Sequence, residues 1–343
     1  MGTRRRRVSV IYFISKLVKW DDLRMKIIYN CTQDLIKKAA KALRDGYLVA
    51  FPTETVYGLG ADASNPTSVA KIYDVKGRPT GHPLIVHISS IGQMDKWTVN
   101  VPEYALNLAR NFWPGPMTLI LKRSQLAKDF ITGGQNLVGL RVPSHPTALM
   151  LIKEFENLGG IGIAAPSANR FGAVSPTTSD AVIEELGTYL SNKDLVLDGG
   201  AAEVGIESTI IDCSDVIPKI LRPGIISKEQ VEEVSGLQSI DNISGSKVKT
   251  SGLLVSHYSP VAEVVLDGKT SPEDGFFAML EIETPTGAIR LGSPSTIEEY
   301  AKNLYSVLRL ADQKGLQRIS VIQPSGDGLA VAIRDRLSKA AAR

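Results

Sequence analysis

Several stretches of the chain place reactive side chains beside glycine or proline at the ends of apolar runs. Phe51-Pro52-Thr53-Glu54-Thr55-Val56-Tyr57-Gly58-Leu59-Gly60 sets two hydroxyls, a carboxylate and two glycines directly after a predicted buried strand. Loops at strand ends are where α/β proteins hold ligands. The same residues equally describe a glycine-terminated turn whose threonines bond the backbone. Lys76-Gly77-Arg78-Pro79 pairs two cations across a glycine. Arginine grips phosphate oxygens with two parallel bonds and lysine adds a point charge, yet two cations also suit the negative end of a helix. His82 and His87 flank Pro83-Leu84-Ile85-Val86. Their odd spacing sends them to opposite faces of a shared strand, which argues against a two-histidine metal site. His87 is either a structural side chain or a donor to a substrate hydroxyl or carboxylate.

Arg141 ends the apolar run 138–142 and needs an anionic partner there, either a protein carboxylate or a bound one. Trp113-Pro114-Gly115-Pro116-Met117-Thr118 is a rigid turn entering a strand. Ala164-Ala165-Pro166-Ser167-Ala168-Asn169 offers small residues that suit either close ligand approach or tight packing. Gly205-Ile206-Glu207-Ser208-Thr209 and Leu221-Arg222-Pro223-Gly224 repeat the theme of a polar group at a strand boundary. Taken together, Lys76, Arg78, Arg141 and Arg222 supply cations, and Thr55, Ser167, Ser175 and Ser208 supply hydroxyls. That inventory suits a ligand with phosphates and a carboxylate.

The elements that must position these groups alternate short β-rich runs with helical stretches. Strands are predicted at 48–51, 84–88, 118–121, 138–142, 161–165, 195–197, 209–211 and 219–221. Helices are predicted at 32–44, 65–75 with proline at the first position, 102–112, 147–156, 179–189 and 228–234, the last with Ser227-x-x-Gln230 as a capping box. The pattern is that of an α/β domain with a mixed sheet. Residues 236–251 are polar and read as a linker. Strands at 263–266, 287–291 and 318–322, with helices at 296–311 and 329–341, make a small βαβ-like second domain. The boundaries drawn are 1–24 for an N-terminal extension, 25–235 for the main domain, 236–260 for a linker or lid, and 261–343 for the second domain.

With 343 residues, 43% apolar and 22% charged, the chain has the composition of a globular protein of two domains. Its two cysteines, Cys31 and Cys213, exclude a disulfide scaffold and a multi-cysteine zinc site, and point to a reducing, cytoplasmic compartment. No apolar run approaches the roughly 20 residues that span a bilayer. The net charge of +3 misleads, because residues 1–24 carry seven cations against two acids and leave the rest two charges negative. That near-neutral body gives no electrostatic case for nucleic-acid binding. Arg4–Arg7 and the apolar residues after them lack a small-residue cleavage site, so the functional chain is expected to start at Met25. Gly268-Lys269-Thr270 fails as a phosphate loop because Glu263 stands where glycine is required, and no G-x-G-x-x-G, C-x-x-C, H-E-x-x-H or G-x-S-x-G is present.

The ordered set F-P-T-E-T-V-Y-G-L-G, K-G-R-P-T-G-H-P-L-I-V-H, W-P-G-P-M-T, V-G-L-R-V-P, A-P-S-A-N, E-S-T-I-I-D and L-R-P-G resembles the L-threonylcarbamoyladenylate synthase, or YrdC-like, family. The linker and second domain resemble its long form, so the likeness covers residues 27–343. It implies a twisted mixed-sheet α/β domain with a concave basic cavity, followed by a small Rossmann-like α/β domain, with the linker over the cavity. It also implies a reaction: L-threonine, bicarbonate or CO2, and ATP give L-threonylcarbamoyl-AMP and pyrophosphate. A downstream transferase would use the product for N6-threonylcarbamoyladenosine at tRNA position 37.

Carried over by motif, Thr53, Thr55, His87, Arg141, the Ala165 backbone and Ser208 are implied at the threonine site. Lys76, Arg78, His82, Ser167, Asn169, Ser175, Arg222 and the Leu137 backbone are implied on the ATP side. Lys76 and Arg78 are the implied catalytic charges, with Mg²⁺ on the phosphates and no protein side chain as its ligand. Two departures stand out. Val255 replaces a linker aromatic, and residues 272–285 replace a fuller βα segment. The alternatives are a carbamoyl-transfer enzyme of hydrogenase maturation, which would need cysteine-rich zinc segments, and a non-catalytic module with weak RNA binding.

Overall fold

A computed structural model of the chain describes residues 27–28, 31–241, 248–250, 252 and 257–342. The expected N-terminal extension, the start at Met25 and the Val255 substitution lie outside these residues. In a first sheet stand β1 (Ile27–Ile28), β2 (Val49–Phe51), β3 (Gly58–Asp62), β4 (Ile85–His87), β5 (Met117–Lys122), β6 (Leu137–Arg141), β7 (Ile163–Ala164), β8 (Leu195–Leu197), β9 (Thr209–Asp212), β10 (Lys219–Arg222) and β11 (Ile240–Asp241). A second sheet holds β12 (Glu263–Leu266), β13 (Gly275–Phe277), β14 (Ile289–Gly292) and β15 (Arg318–Val321). The helices of the first part are α1 (Gln33–Arg44), α2 (Pro66–Lys76), α3 (Met94–Trp97), α4 (Glu103–Phe112), α5 (Asp129–Thr132), α6 (Pro146–Asn157), α7 (Ser179–Leu186) and α8 (Lys228–Ser235). Those of the second are α9 (Ile297–Gln313) and α10 (Leu329–Ala341).

The first sheet runs β1-β8-β2-β3-β7-β4-β6-β5-β9-β10-β11 and is mixed, as expected. Leu48 and Ala50 belong to one apolar cluster, with Val69, Ile72 and Leu108 from α2 and α4. Val49 and Phe51 belong to another, with Ile36, Leu43, Leu151 and Phe155 from α1 and α6. This alternation is that of a strand covered on both faces. Residues 58–60, read from sequence as part of a loop, instead begin β3, which pairs antiparallel with β2. Phe51 to Gly58 is therefore a hairpin connection. Pro52, which lacks an N–H, follows the last paired residue of β2. Helix α2 follows the expected grammar. The Asn65 side chain accepts from the Thr67 and Ser68 amides, Pro66 opens the helix, and Gly77 closes it at φ 60°.

The second sheet is parallel throughout, in the order β12-β15-β13-β14. Strand β13 falls inside the 272–285 segment that showed no strand pattern, because three residues are too few for a period to register. The strand expected at 287–291 begins at Ile289, since Gly287 sits at φ +82°. The helix expected to reach 189 ends at Leu186. Tyr300, Leu304, Tyr305 and Leu308 of α9 and Ile333 and Leu337 of α10 form the second core, which also takes in Val56, Val174 and Ile206 from the first part. The two parts thus share one apolar cluster. No helix of the described residues is long and apolar enough to cross a membrane.

Candidate active site

Strand ends from across the first sheet meet at one cavity. The β2–β3 connection brings Thr53, Thr55 and Val56; β4 brings His87; β6 brings Arg141. The segment after β7 adds Ala165 and Ser167, the one before β9 adds Glu207 and Ser208, and β10 adds Arg222. Arg78 enters from just beyond α2, and Gly252, His257 and Tyr258 of the linker close the remaining side. The free space enclosed is about 50 Å³.

Arg141 answers the demand its position creates. Its Nη2 donates to Glu54 Oε1 at 2.6 Å, and Glu54 Oε2 accepts from the Ser144 amide at 3.1 Å. Both side chains are almost wholly buried. Arg141 Nε is buried with no hydrogen-bond partner among the described residues, and so is His87 Nδ1. Burial, and then the Arg141 charge, push the His87 imidazole down to about 3, so it is neutral at physiological pH. Thr53 Oγ1 lies 2.9 Å from Thr55 Oγ1 and donates to the Val56 carbonyl at 2.6 Å.

On the opposite wall, Arg222 donates through Nε and Nη2 to the Ser208 carbonyl at 3.1 and 2.9 Å, and Ser208 Oγ lies 2.8 Å from Thr118 Oγ1. Arg78 Nη2 donates to the Pro83 carbonyl at 3.0 Å. Burial draws the Arg78 guanidinium down to about 10, which still leaves it charged at pH 7. Arg78, Arg141 and Arg222 face the cavity against a single unpaired-with-Arg141 carboxylate, Glu207, so the cavity favours an anion.

Of the residues singled out from sequence, Thr53, Thr55, Arg78, His87, Arg141, Ala165, Ser167, Ser208 and Arg222 line this cavity. Five stand behind or beside it. Lys76 is 2% exposed, and its Nζ donates to the Ser167 and Asn169 carbonyls at 2.6 and 2.5 Å. Burial, then the Arg78 charge, lower its pKa well below the ordinary lysine value. Asn169 donates to the carbonyls of Arg170 and Ala173 and so shapes the same turn. Ser175 Oγ donates to Glu207 Oε1 at 2.6 Å. The His82 ring meets Phe171 edge-on at 5.4 Å, and Phe171 also lies under Arg78. Leu137 lines a smaller neighbouring space with Gln135, Lys249 and Thr250.

Glu54, Glu207, His257 and Tyr258 were not singled out. Arg141 in an apolar strand was the signal for Glu54, the carboxylate between the two threonines. Glu207 stood in the polar run 205–209, but nothing local in sequence marks its partners, which come from 98 and 129 residues away. No cluster of three or more His, Cys, Asp or Glu able to hold a metal occurs among the described residues.

The chain matches two family models: one described as "Telomere recombination", over residues 41–224, and one described as "Threonylcarbamoyl-AMP synthase, C-terminal domain", over residues 226–342. The threonylcarbamoyl-AMP synthase of Pyrococcus abyssi is 39% identical over 92% of this chain and 98% of its own length. That of Bacillus subtilis is 39% identical over 89% and 92%. The chain belongs to the threonylcarbamoyl-AMP synthase family. As a threonylcarbamoyl-AMP synthase family member it is an enzyme, a transferase. The crystal structure of Pyrococcus abyssi Sua5 complexed with L-threonine superposes with a TM-score of 0.81 at 37% identity, covering 92% of this chain and 97% of that one. The fold expected from the motifs is therefore the fold observed. The hydrogenase-maturation and RNA-binding alternatives gain no support from these matches.

Proposed function

We propose that this cavity condenses L-threonine, bicarbonate or CO2, and ATP into L-threonylcarbamoyl-AMP and pyrophosphate. The observation that carries the reading is the pair of buried polar atoms without a hydrogen-bond partner among the described residues, Arg141 Nε and His87 Nδ1, beside the hydroxyls of Thr53, Thr55 and Ser208. Buried polar groups are ordinarily satisfied, and a carboxylate with a neighbouring hydroxyl and amine, the outline of threonine, would satisfy these. The threonine complex of the Pyrococcus abyssi protein supports the same substrate.

In this reading Thr53, Thr55, His87, Arg141, the Ala165 backbone and Ser208 hold threonine, with Arg141 on its carboxylate. Arg78, Arg222 and Ser167 meet the ATP phosphates. Lys76 acts from behind through the 167–169 turn, and His82, Asn169, Ser175 and Leu137 frame the nucleotide. The threonine amine loses a proton and bonds to CO2. A carbamate oxygen then attacks the α-phosphorus as the bond to the pyrophosphate oxygen breaks. Catalysis is positioning and stabilisation of the developing charge, chiefly by Arg78, with Lys76, expected from the motif as a second catalytic charge, instead holding the 167–169 turn. Both carboxylates at the cavity are engaged by arginine, so Mg²⁺ would enter on the ATP phosphates. Gly252, His257 and Tyr258 close one side of the cavity, so nucleotide entry requires these residues to move aside. The product would pass to a separate transferase for tRNA N6-threonylcarbamoyladenosine, in the cytoplasm.

The test is pyrophosphate release from Mg²⁺-ATP by the full chain. We expect release that requires both L-threonine and bicarbonate. No release from folded protein with all three present would overturn the reading.

A further inference from the structure

Glu207 lies at the cavity wall, next in sequence to Ser208, yet its side chain is held chiefly by the second domain. Its Oε2 accepts from Tyr305 of α9 at 2.8 Å and from Arg336 Nε of α10 at 3.0 Å. Arg336 Nη2 also donates to the Glu207 backbone carbonyl at 3.3 Å. Arg336 and Tyr305 are fully buried. From the first part, Ser175 Oγ donates to the carboxylate and the Arg222 charge acts on it.

The same two residues hold the linker. Tyr258, which lines the cavity, stacks on Tyr305 with ring centres 5.5 Å apart, and the Arg336 guanidinium sits 5.7 Å from its ring centre. The backbone is locked as well. Gly205 lies at φ +82° against α9, where a Cβ would fall 2.4 Å from the Lys302 Cα and 2.6 Å from the Ala301 carbonyl oxygen. Residues 205–208 therefore cannot shift without α9 and α10.

We propose that Arg336 and Tyr305 are positioning residues for the cavity, acting through Glu207 on Ser208 and Arg222 and through Tyr258 on the linker. The second domain is then part of the active site without touching substrate. Breaking a buried ion pair by removing one partner leaves an uncompensated charge, and here that charge is one residue from Ser208. The inference rests on the reading that the cavity takes L-threonine.

L-threonine binding by calorimetry on the full chain, with the unfolding midpoint measured alongside, tests it. Wild type that fails to bind threonine would sink the functional reading itself. Given wild-type binding, Arg336→Met is expected to weaken threonine at least tenfold in protein that remains folded, and Arg336→Lys to recover part of the loss. Tyr305→Phe keeps the ring and deletes only the hydroxyl, so it decides the matter should Arg336→Met not fold; the expected loss is about threefold.

The pH profile separates positioning from bulk destabilisation. Around Glu207 stand Arg336 of α10 (which also bonds Asp335), Tyr305 of α9, Tyr258 and His257 of the linker, Ser175, and Arg222 of β10. Burial raises the Glu207 pKa and the arginines hold it at about 2. Without Arg336 the carboxyl takes up a proton at higher pH, and the acid limb of threonine binding should move up with it. Variants that bind threonine as tightly as wild type, with the same acid limb, would overturn the proposal.

Discussion

Arg141 shows how one side chain can be both paired and available. Glu54 neutralises it and fixes its plane through Nη2, while Nε stays buried without a partner among the described residues. A guanidinium presents its donors in a rigid fork, so one edge can be committed while another meets a ligand. A lysine at this position would keep the charge and lose the fork. We therefore expect Arg141→Lys to raise the KM for L-threonine by about 10- to 100-fold, the range expected for a charged hydrogen bond of about 1.5–3 kcal/mol. Steady-state pyrophosphate release at varied threonine checks this, and an unchanged KM would remove Arg141 from the carboxylate site.

Among the elements, the β2–β3 hairpin does the most to build the cavity. Its connection carries Thr53, Glu54 and Thr55, and its closeness to β7 depends on Gly60. A Cβ there would come within 2.8 Å of both the Ile163 side chain and the Phe51 ring. Neither neighbour can yield, because Phe51 and Ile163 are both fully buried. Overpacking of this kind costs about 1–3 kcal/mol. Gly60→Ala should lose that much stability in urea denaturation and bind threonine more weakly, since the strain falls on the hairpin whose connection carries the threonines. Wild-type stability would mean that the sheet opens there at no cost. The hairpin was only half legible beforehand. The hydroxyls and glycines marked a site, but a stretch with no polar alternation hid β3, because both of its faces are covered.

At the scale of the whole molecule, two histidines link stability to pH. His87 and His257 are held neutral, each near 3, chiefly by burial. In the unfolded chain they take up protons at about 6.5. Between roughly pH 6.5 and 3 the unfolded state binds protons that the folded state does not, so stability falls as pH falls through that window and is flat above it. His87→Gln should flatten the fall between pH 6.5 and 4 in chemical denaturation. A curve as steep as wild type would mean that His87 titrates normally in the fold. His257 belongs to the linker and His87 to the first sheet, so acid loosens both sides of the cavity together.

The chain by itself determined the fold class, the helix boundaries at Asn65, Ser227 and Thr296, and nine of the residues that line the cavity. Capping, glycine and proline signals act over a few residues, and ordered motifs survive in the linear text. Tertiary structure alone decided which carboxylate answers Arg141, that Lys76 lies behind the wall, and that Arg336 and Tyr305 bond Glu207. Those are choices among buried charges, settled by which oppositely charged group comes within hydrogen-bonding reach once water is excluded. For Glu207 that meeting spans two domains and about 100 residues of chain, a distance over which no local pattern carries information.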